Sequence, residues 1–185
     1  MEAIQTETQG INEEVGTGKS RAHGVIQVVE FILGREKFAV ELFDTKEVIT
    51  TPNITPIPDA APFISGIIDL RGIITTIVDL KMMMRIADTT TDTNGGKQHS
   101  RIIILDKNVS GRPIGILVDD VLSVVTYSQS DIDIHNKSDV SNQRDLLGVI
   151  RKPHKGDSAE QGKNVCDLIL WLDIAGMMNK IKDEL

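Results

Sequence analysis

Residues able to do chemistry are sparse in this 185-residue chain. The strongest catalytic candidates are carboxylates: the adjacent Asp119 and Asp120, with Asp79 and Asp173 at the ends of apolar runs. Such a set could hold magnesium, a hard cation that takes oxygen ligands. The competing reading is that, of two neighbouring aspartates at a strand end, one faces solvent and the other caps a turn. His23, His99, His135 and His154 fall in tail or loop-like segments with no metal-ligand spacing. Neither a G-x-x-x-x-G-K-[ST] phosphate loop nor a G-x-S-x-G elbow occurs. Cys166 is the sole cysteine, so no internal disulfide forms, and its place in the apolar run 165–172 reads as a small buried core residue rather than a reactive thiolate. The inventory points to a binding module and not an enzyme; a metal-dependent hydrolase using the acidic cluster is the alternative.

One charged residue stands out by position. In the stretch 64–80, ISGIIDLRGIITTIVDL, two apolar runs flank a short polar crossing that carries Arg71. The runs predict two buried β-strands around a tight turn. An arginine there is costly to bury and persists only if paired, exposed at a rim, or used. Its natural counterpart is Glu47, at the end of the helix-like or extended run 44–48. The pair reads either as an ordinary surface salt bridge, contributing about 0–1 kcal/mol, or as a functional clasp.

The elements that must position these residues are mostly strands. The segment 25–33 is β-branched and apolar, 34–37 reads as a turn and 38–42 as a returning strand, together a hairpin. Pro52, Pro56, Pro58 and Pro62 exclude a central strand or a helix interior from the next segment, which must be an ordered connection. Residues 81–86 predict a short helical turn, and 87–100 a flexible polar loop. A second hairpin follows, with strands at 101–105 and 115–118 around a turn at 106–112.

This second half echoes the first. The segment 115–125 tracks 39–49, 148–150 tracks 66–68, and 171–174 tracks 77–80. Such an echo predicts two small five-stranded barrels, each too small for a sufficient core alone and stabilised by packing on its sibling. Residues 174–181 carry apolar positions at helical spacing and predict a C-terminal helix, with Met177 and Met178 as core filler. Residues 1–24 are polar and without period; they read as a disordered tail, with a docking peptide as the sharper alternative.

Composition narrows the function classes. The 40% hydrophobic and 25% charged fractions are those of a globular domain, and no apolar run approaches the roughly 18 residues that span a bilayer. With no signal-peptide pattern at the acidic N-terminus, the expected compartment is the cytoplasm. The net charge of -7 argues against nucleic acid and anionic lipid as partners, and the 3% aromatic fraction is too low for base-stacking platforms.

The run GIIDLRG at 66–72, followed by IVDL at 77–80, resembles the G-(V/I)-X-N-L-R-G…(V/I)-(V/I)-D-L signature of the CheW family, the coupling proteins of chemotaxis arrays. The resemblance continues through 25–48 and 115–124 and covers the chain from 25 to its end, a domain of 25–185. Asp69 departs from the family's usual Asn and Thr76 from its frequent Pro. The resemblance implies an all-β fold of two packed, five-stranded SH3-like barrels and a cytoplasmic, non-enzymatic adaptor without cofactor. It further implies that the adaptor joins the cytoplasmic tip of a transmembrane chemoreceptor to the regulatory domain of the histidine kinase CheA, and so associates with the membrane only through partners. Positions matching the family's receptor and kinase surfaces are Glu47, Gly66, Arg71, Ile102, Ile103, Gly115, Val121 and Val124. Glu47 and Arg71 are expected to meet at the rim of the receptor-binding groove, flanked by Val48, Ile102 and Val121. Gly66 and Gly115 also have a simpler reading, backbone freedom in tight strands. A variant within the family is the adaptor half of a receiver-fused protein or the kinase's own regulatory domain; the absence of receiver-like sequence before Leu185 favours the stand-alone form.

Overall fold

The hairpins that the alternation predicts are all present in the computed structural model, which describes residues 24–87, 100–134, 145–153 and 166–182. Strands β1 (Val25–Leu33) and β2 (Glu36–Glu41) form the first. Its turn is tighter than the expected 34–37: Leu33 already pairs with Glu36, and Gly34 supplies the left-handed φ of 63°. A 3₁₀ turn, Leu42–Asp44, leads into β3 (Thr45–Thr50). The second hairpin is β4 (Ile64–Leu70) and β5 (Ile73–Asp79), followed by the short helix α1 (Leu80–Met84). The third joins β6 (Arg101–Leu105) to β7 (Ile114–Val118), and the turn between them holds a four-residue helix, α2 (Lys107–Ser110). Then come β8 (Asp120–Ser128), β9 (Ile132–Ile134), β10 (Leu146–Pro153), β11 (Cys166–Leu172) and α3 (Ile174–Lys180). The tail at 1–23 and the loop at 88–99 lie outside the described residues, as do all four histidines.

Two sheets result, ordered β8-β1-β2-β11-β10-β9 and β3-β6-β7-β5-β4. Setting β1, β2, β8, β11 and β10 against β6, β7, β3, β5 and β4 makes the two orders coincide, including the parallel pairs β2–β11 and β5–β7. The weak echo in the sequence is therefore a repeat of topology with the halves interleaved: β3, β4 and β5 of the first half join β6 and β7, while β8 to β11 of the second half join β1 and β2.

Each sheet curls, because the chain leaving one edge returns to the other. From β8 a 3₁₀ turn, Gln129–Asp131, leads straight into β9, which pairs with β10 at the opposite edge. From β3 the proline-rich segment brings Thr55 to a bridge with Ile67 of β4. Backbone crosses backbone at a glycine in both places. A Cβ on Gly66 would overlap the Thr55 carbonyl, and one on Gly148 the Asp133 carbonyl. The two seams are bridged by chain, not by a continuous hydrogen-bond ladder, and β9 makes the first sheet six-stranded.

Three apolar clusters follow from strand alternation. Val28, Ala39, Tyr127, Ile150, Ile169 and Trp171 fill the first barrel; Ile68, Ile77, Ile102 and Ile104 fill the second. The largest cluster lies between them, with Val29, Phe31 and Leu33 from β1, Ile103 and Leu105 from β6, and Ile174, Met177 and Met178 from α3. Neither barrel interior is large, so the shared layer supplies much of the apolar burial, as small cores require. The methionine pair is core filler. Glu30, 1% exposed, points into the first barrel, where Lys152 Nζ donates to both its oxygens at 3.0 and 2.8 Å and the Tyr127 hydroxyl donates to Oε1.

Candidate functional site

Arg71 owes its position to a two-residue turn. Leu70 pairs with Ile73, leaving Arg71 and Gly72 as the central residues at φ 54° and 81°, a left-handed pair that matches strand twist. For Gly72 this conformation is free; for Arg71 it costs on the order of 1 kcal/mol. Asp69 Oδ1 offsets part of that cost by accepting the Gly72 N–H at 2.6 Å. An Asn would accept the same bond through its amide oxygen, so the departure at 69 keeps the turn's geometry.

Set on this tip, the Arg71 guanidinium reaches Glu47 on β3 in a two-pronged contact, Nη1 donating to Oε1 at 3.3 Å and Nη2 to Oε2 at 3.0 Å. The fork matches the carboxylate plane, which adds orientation as well as attraction. The arginine is 76% exposed and the glutamate 22%, so the pair lies at a rim and not in a core. It borders a shallow depression of about 60 Å³ lined also by Lys46, Ile73, Lys107 and Pro113. Ile73, 40% exposed, lines the same depression, while Val48 at 42% and Ile74 at 59% each follow a site residue directly along a strand and so face the other side of the sheet. A charged, pre-oriented pair beside an exposed aliphatic group is a surface suited to protein contact.

The other singled-out residues divide by burial. Ile102 and Ile103 are fully buried, on opposite faces of β6, one inside the second barrel and the other in the shared layer. Ile102 pairs with Ile49, two residues along β3 from Glu47, and presents no side chain to a visitor; the residue opposite Glu47 is Ile104. Gly115 is buried too, and a Cβ there would come within 2.6 Å of Ile102 Cγ2. Gly66 holds the seam described above. Val121 and Val124 are on β8 in the other sheet, Val121 packed against the shared core and Val124 56% exposed. Sequence reasoning did not single out Ile73, Ile74 or the 75%-exposed Phe43, because apolar type alone signals burial.

The acidic residues are used as caps and ion-pair partners. Asp79 Oδ1 accepts from Met82 N at 3.0 Å at the start of α1, and Asp173 Oδ1 from Gly176 N at 2.9 Å at the start of α3. Asp119 accepts the Gly34 N–H and pairs with Lys81 at 2.7 Å; Asp120 Oδ1 accepts the Val121 N–H. Among the described residues no group of three or more His, Cys, Asp or Glu is placed to hold a metal. Cys166 is exposed at the first position of β11, not in the core, because at the strand's start its side chain lies beyond the interior layers. No helix among the described residues is long and apolar enough to cross a membrane. At the second departure, Thr76 N donates to the Pro113 carbonyl at 3.1 Å, a bond that proline could not make.

Comparison with known proteins agrees with this architecture. The CheW-like domain family matches residues 27–182. The chemotaxis protein CheW of Thermotoga maritima is 29% identical over 155 residues, 84% of this chain and 89% of that one. That of Treponema pallidum is 30% identical over 106 residues, a match spanning 57% of this chain and 61% of that relative. The crystal structure of the scaffolding protein TtCheW from Thermoanaerobacter tengcongensis superposes with a TM-score of 0.61 at 27% identity, covering 80% of this chain and 88% of that one. The family match over most of the chain, the twin-barrel topology and the LRG hairpin together make this chain a member of the CheW family.

Proposed function

We propose that this chain couples chemoreceptors to the histidine kinase CheA by binding both, without catalysing a reaction itself. The observation that carries the reading is the forked Arg71–Glu47 pair, held on a left-handed turn at an exposed apolar rim. A stability role alone does not call for that expense, since an exposed pair contributes about 0–1 kcal/mol. Its orientation suits the side of a partner helix, with Ile73 supplying apolar contact and the charges setting register.

In this reading Glu47 and Arg71 face the cytoplasmic tip of the receptor. Gly66, Ile102, Ile103 and Gly115 set the shape of that face from below. Val121 and Val124 on β8 belong to the second contact, toward the regulatory domain of CheA, itself a double barrel of similar kind. Coupling then consists of a free-energy linkage: a receptor state that binds one face better biases the kinase state that the other face accepts. The protein works in the cytoplasm and reaches the membrane array only through these partners.

The test is a three-component assembly. Receptor tip and kinase regulatory domain are mixed with this chain, and the complex is followed by co-sedimentation. The wild-type chain is expected to bring both down together; Arg71→Glu is expected to lose the receptor fragment and keep the kinase fragment. Equal capture of the receptor fragment by the variant would remove the assignment of this face.

A further inference from the structure

A second cavity opens on the first barrel, in the sheet that does not carry Arg71. It is an open cleft of about 180 Å³ bounded by Gly24 and Ile26 at the start of β1, Ile132 and Ile134 of β9, Leu147 of β10 and Trp171 of β11. Its walls are mainly apolar, with Gln129 as the polar side chain among them, and the exposed Val25 and Ile134 also line it. Trp171, 4% exposed, closes the floor as one of the lining residues. A fitting occupant therefore brings aliphatic side chains to fill the cleft.

We infer that this occupant is the chain's own N-terminal segment, residues 1–23. Gly24, where that segment joins the barrel, is itself part of the cleft wall, and its carbonyl is pinned by the Gln129 N–H at 2.8 Å. The φ of 64° at Gly24 turns the incoming chain there. The segment carries aliphatic residues at short range, Val15 and Ile11, and Gly16 and Gly18 between them and the barrel allow reversal. Nine residues from Val15 to Gly24 span at most about 30 Å when extended, ample for a return to the cleft. Tethering makes the docking intramolecular, with an effective concentration on the order of millimolar. The cleft residues share none with the Arg71 face, so this inference stands apart from the coupling function.

The chain has one tryptophan, so a single indole resonance in a proton–nitrogen correlation spectrum reports the cleft. Deleting residues 2–20 is expected to shift that resonance and to raise the hydrogen-exchange rate of the indole by on the order of tenfold, as expected for a lost local contact. A synthetic peptide of residues 2–23 in excess should restore both. Ile11→Asp with Val15→Asp in the full chain should reproduce the deletion while circular dichroism stays unchanged. An indole signal identical in the full and shortened chains would overturn the inference. So would a deletion effect that the double aspartate variant does not share, or an indole signal that depends on protein concentration, which would identify a second copy as the occupant.

Discussion

Exchanging the two charges of the Arg71–Glu47 pair separates a structural role from a recognition role. Arg71→Glu places two carboxylates where a forked pair stood at 3.0 Å. With the arginine 76% exposed, water and salt screen most of the repulsion. Losing the pair removes about 0–1 kcal/mol, and like charges near 4 Å in water add about 1 kcal/mol more. Urea unfolding should therefore show a loss within about 2 kcal/mol, and thermal unfolding a shift of roughly 2–4 °C per kcal/mol for a chain of this size. Recognition has a different scale. Reversing a charge that a partner desolvates costs about 2–5 kcal/mol, a factor from about 30 to several thousand in Kd. The assay is titration calorimetry of the receptor tip against the wild-type chain, Arg71→Glu, Glu47→Arg and the double exchange. The double exchange should regain part of the lost affinity and nearly all of the lost stability. A single exchange that unfolds the chain, or one that leaves affinity within twofold of wild type, would refute the reasoning.

Three further outcomes follow from the packing. Burial, followed by the hydrogen bond to Glu30, raises the Tyr127 hydroxyl above its ordinary value near 10. Its contribution to stability is complete below pH 10 and is lost as pH rises through the folded value; with a single tyrosine in the chain, tyrosinate absorbance should appear later on alkaline titration of the folded protein than in urea, and coincident titrations would disprove the contact. Gly115→Ala should destabilise by about 1–3 kcal/mol, because the new methyl meets Ile102 and Ile77 at 2.6 and 3.0 Å; an unchanged denaturation midpoint would show that the isoleucines yield freely. Thr76→Pro, which restores the family's frequent residue, should cost about 1 kcal/mol in chemical denaturation by removing the N–H bonded to Pro113, and a gain in stability would show that bond to be dispensable.

Much of this molecule was legible because alternation and glycine placement are local signals. The runs 25–33, 101–105 and 115–118 became strands close to the expected bounds, since β-branched residues at period two leave few other solutions. The echo between 66–68 and 148–150 proved physical: both glycines admit a crossing backbone. What alternation could not show was that β3 to β5 and β8 to β11 would each join the leading hairpin of the other half, because a period of two marks a strand and not its partner. Cys166 was misplaced for a related reason, as an apolar run marks a strand without marking how far its first residue extends past the core. In the candidate site, Arg71 was conspicuous by its neighbours and Glu47 by charge. Ile73 and Ile74 were hidden by their own type: at an exposed hairpin tip an isoleucine reads the same as one inside the barrel.

The strand orders also say what holds the twin units together. The chain passes between the sheets only twice, from β2 to β3 and from β7 to β8, and every ladder lies within one sheet or the other. What resists their parting is the apolar layer contributed by β1, β6 and α3. A tug applied to one unit is consequently handed to the other through close-packed side chains, with two stretches of backbone as the only covalent tether.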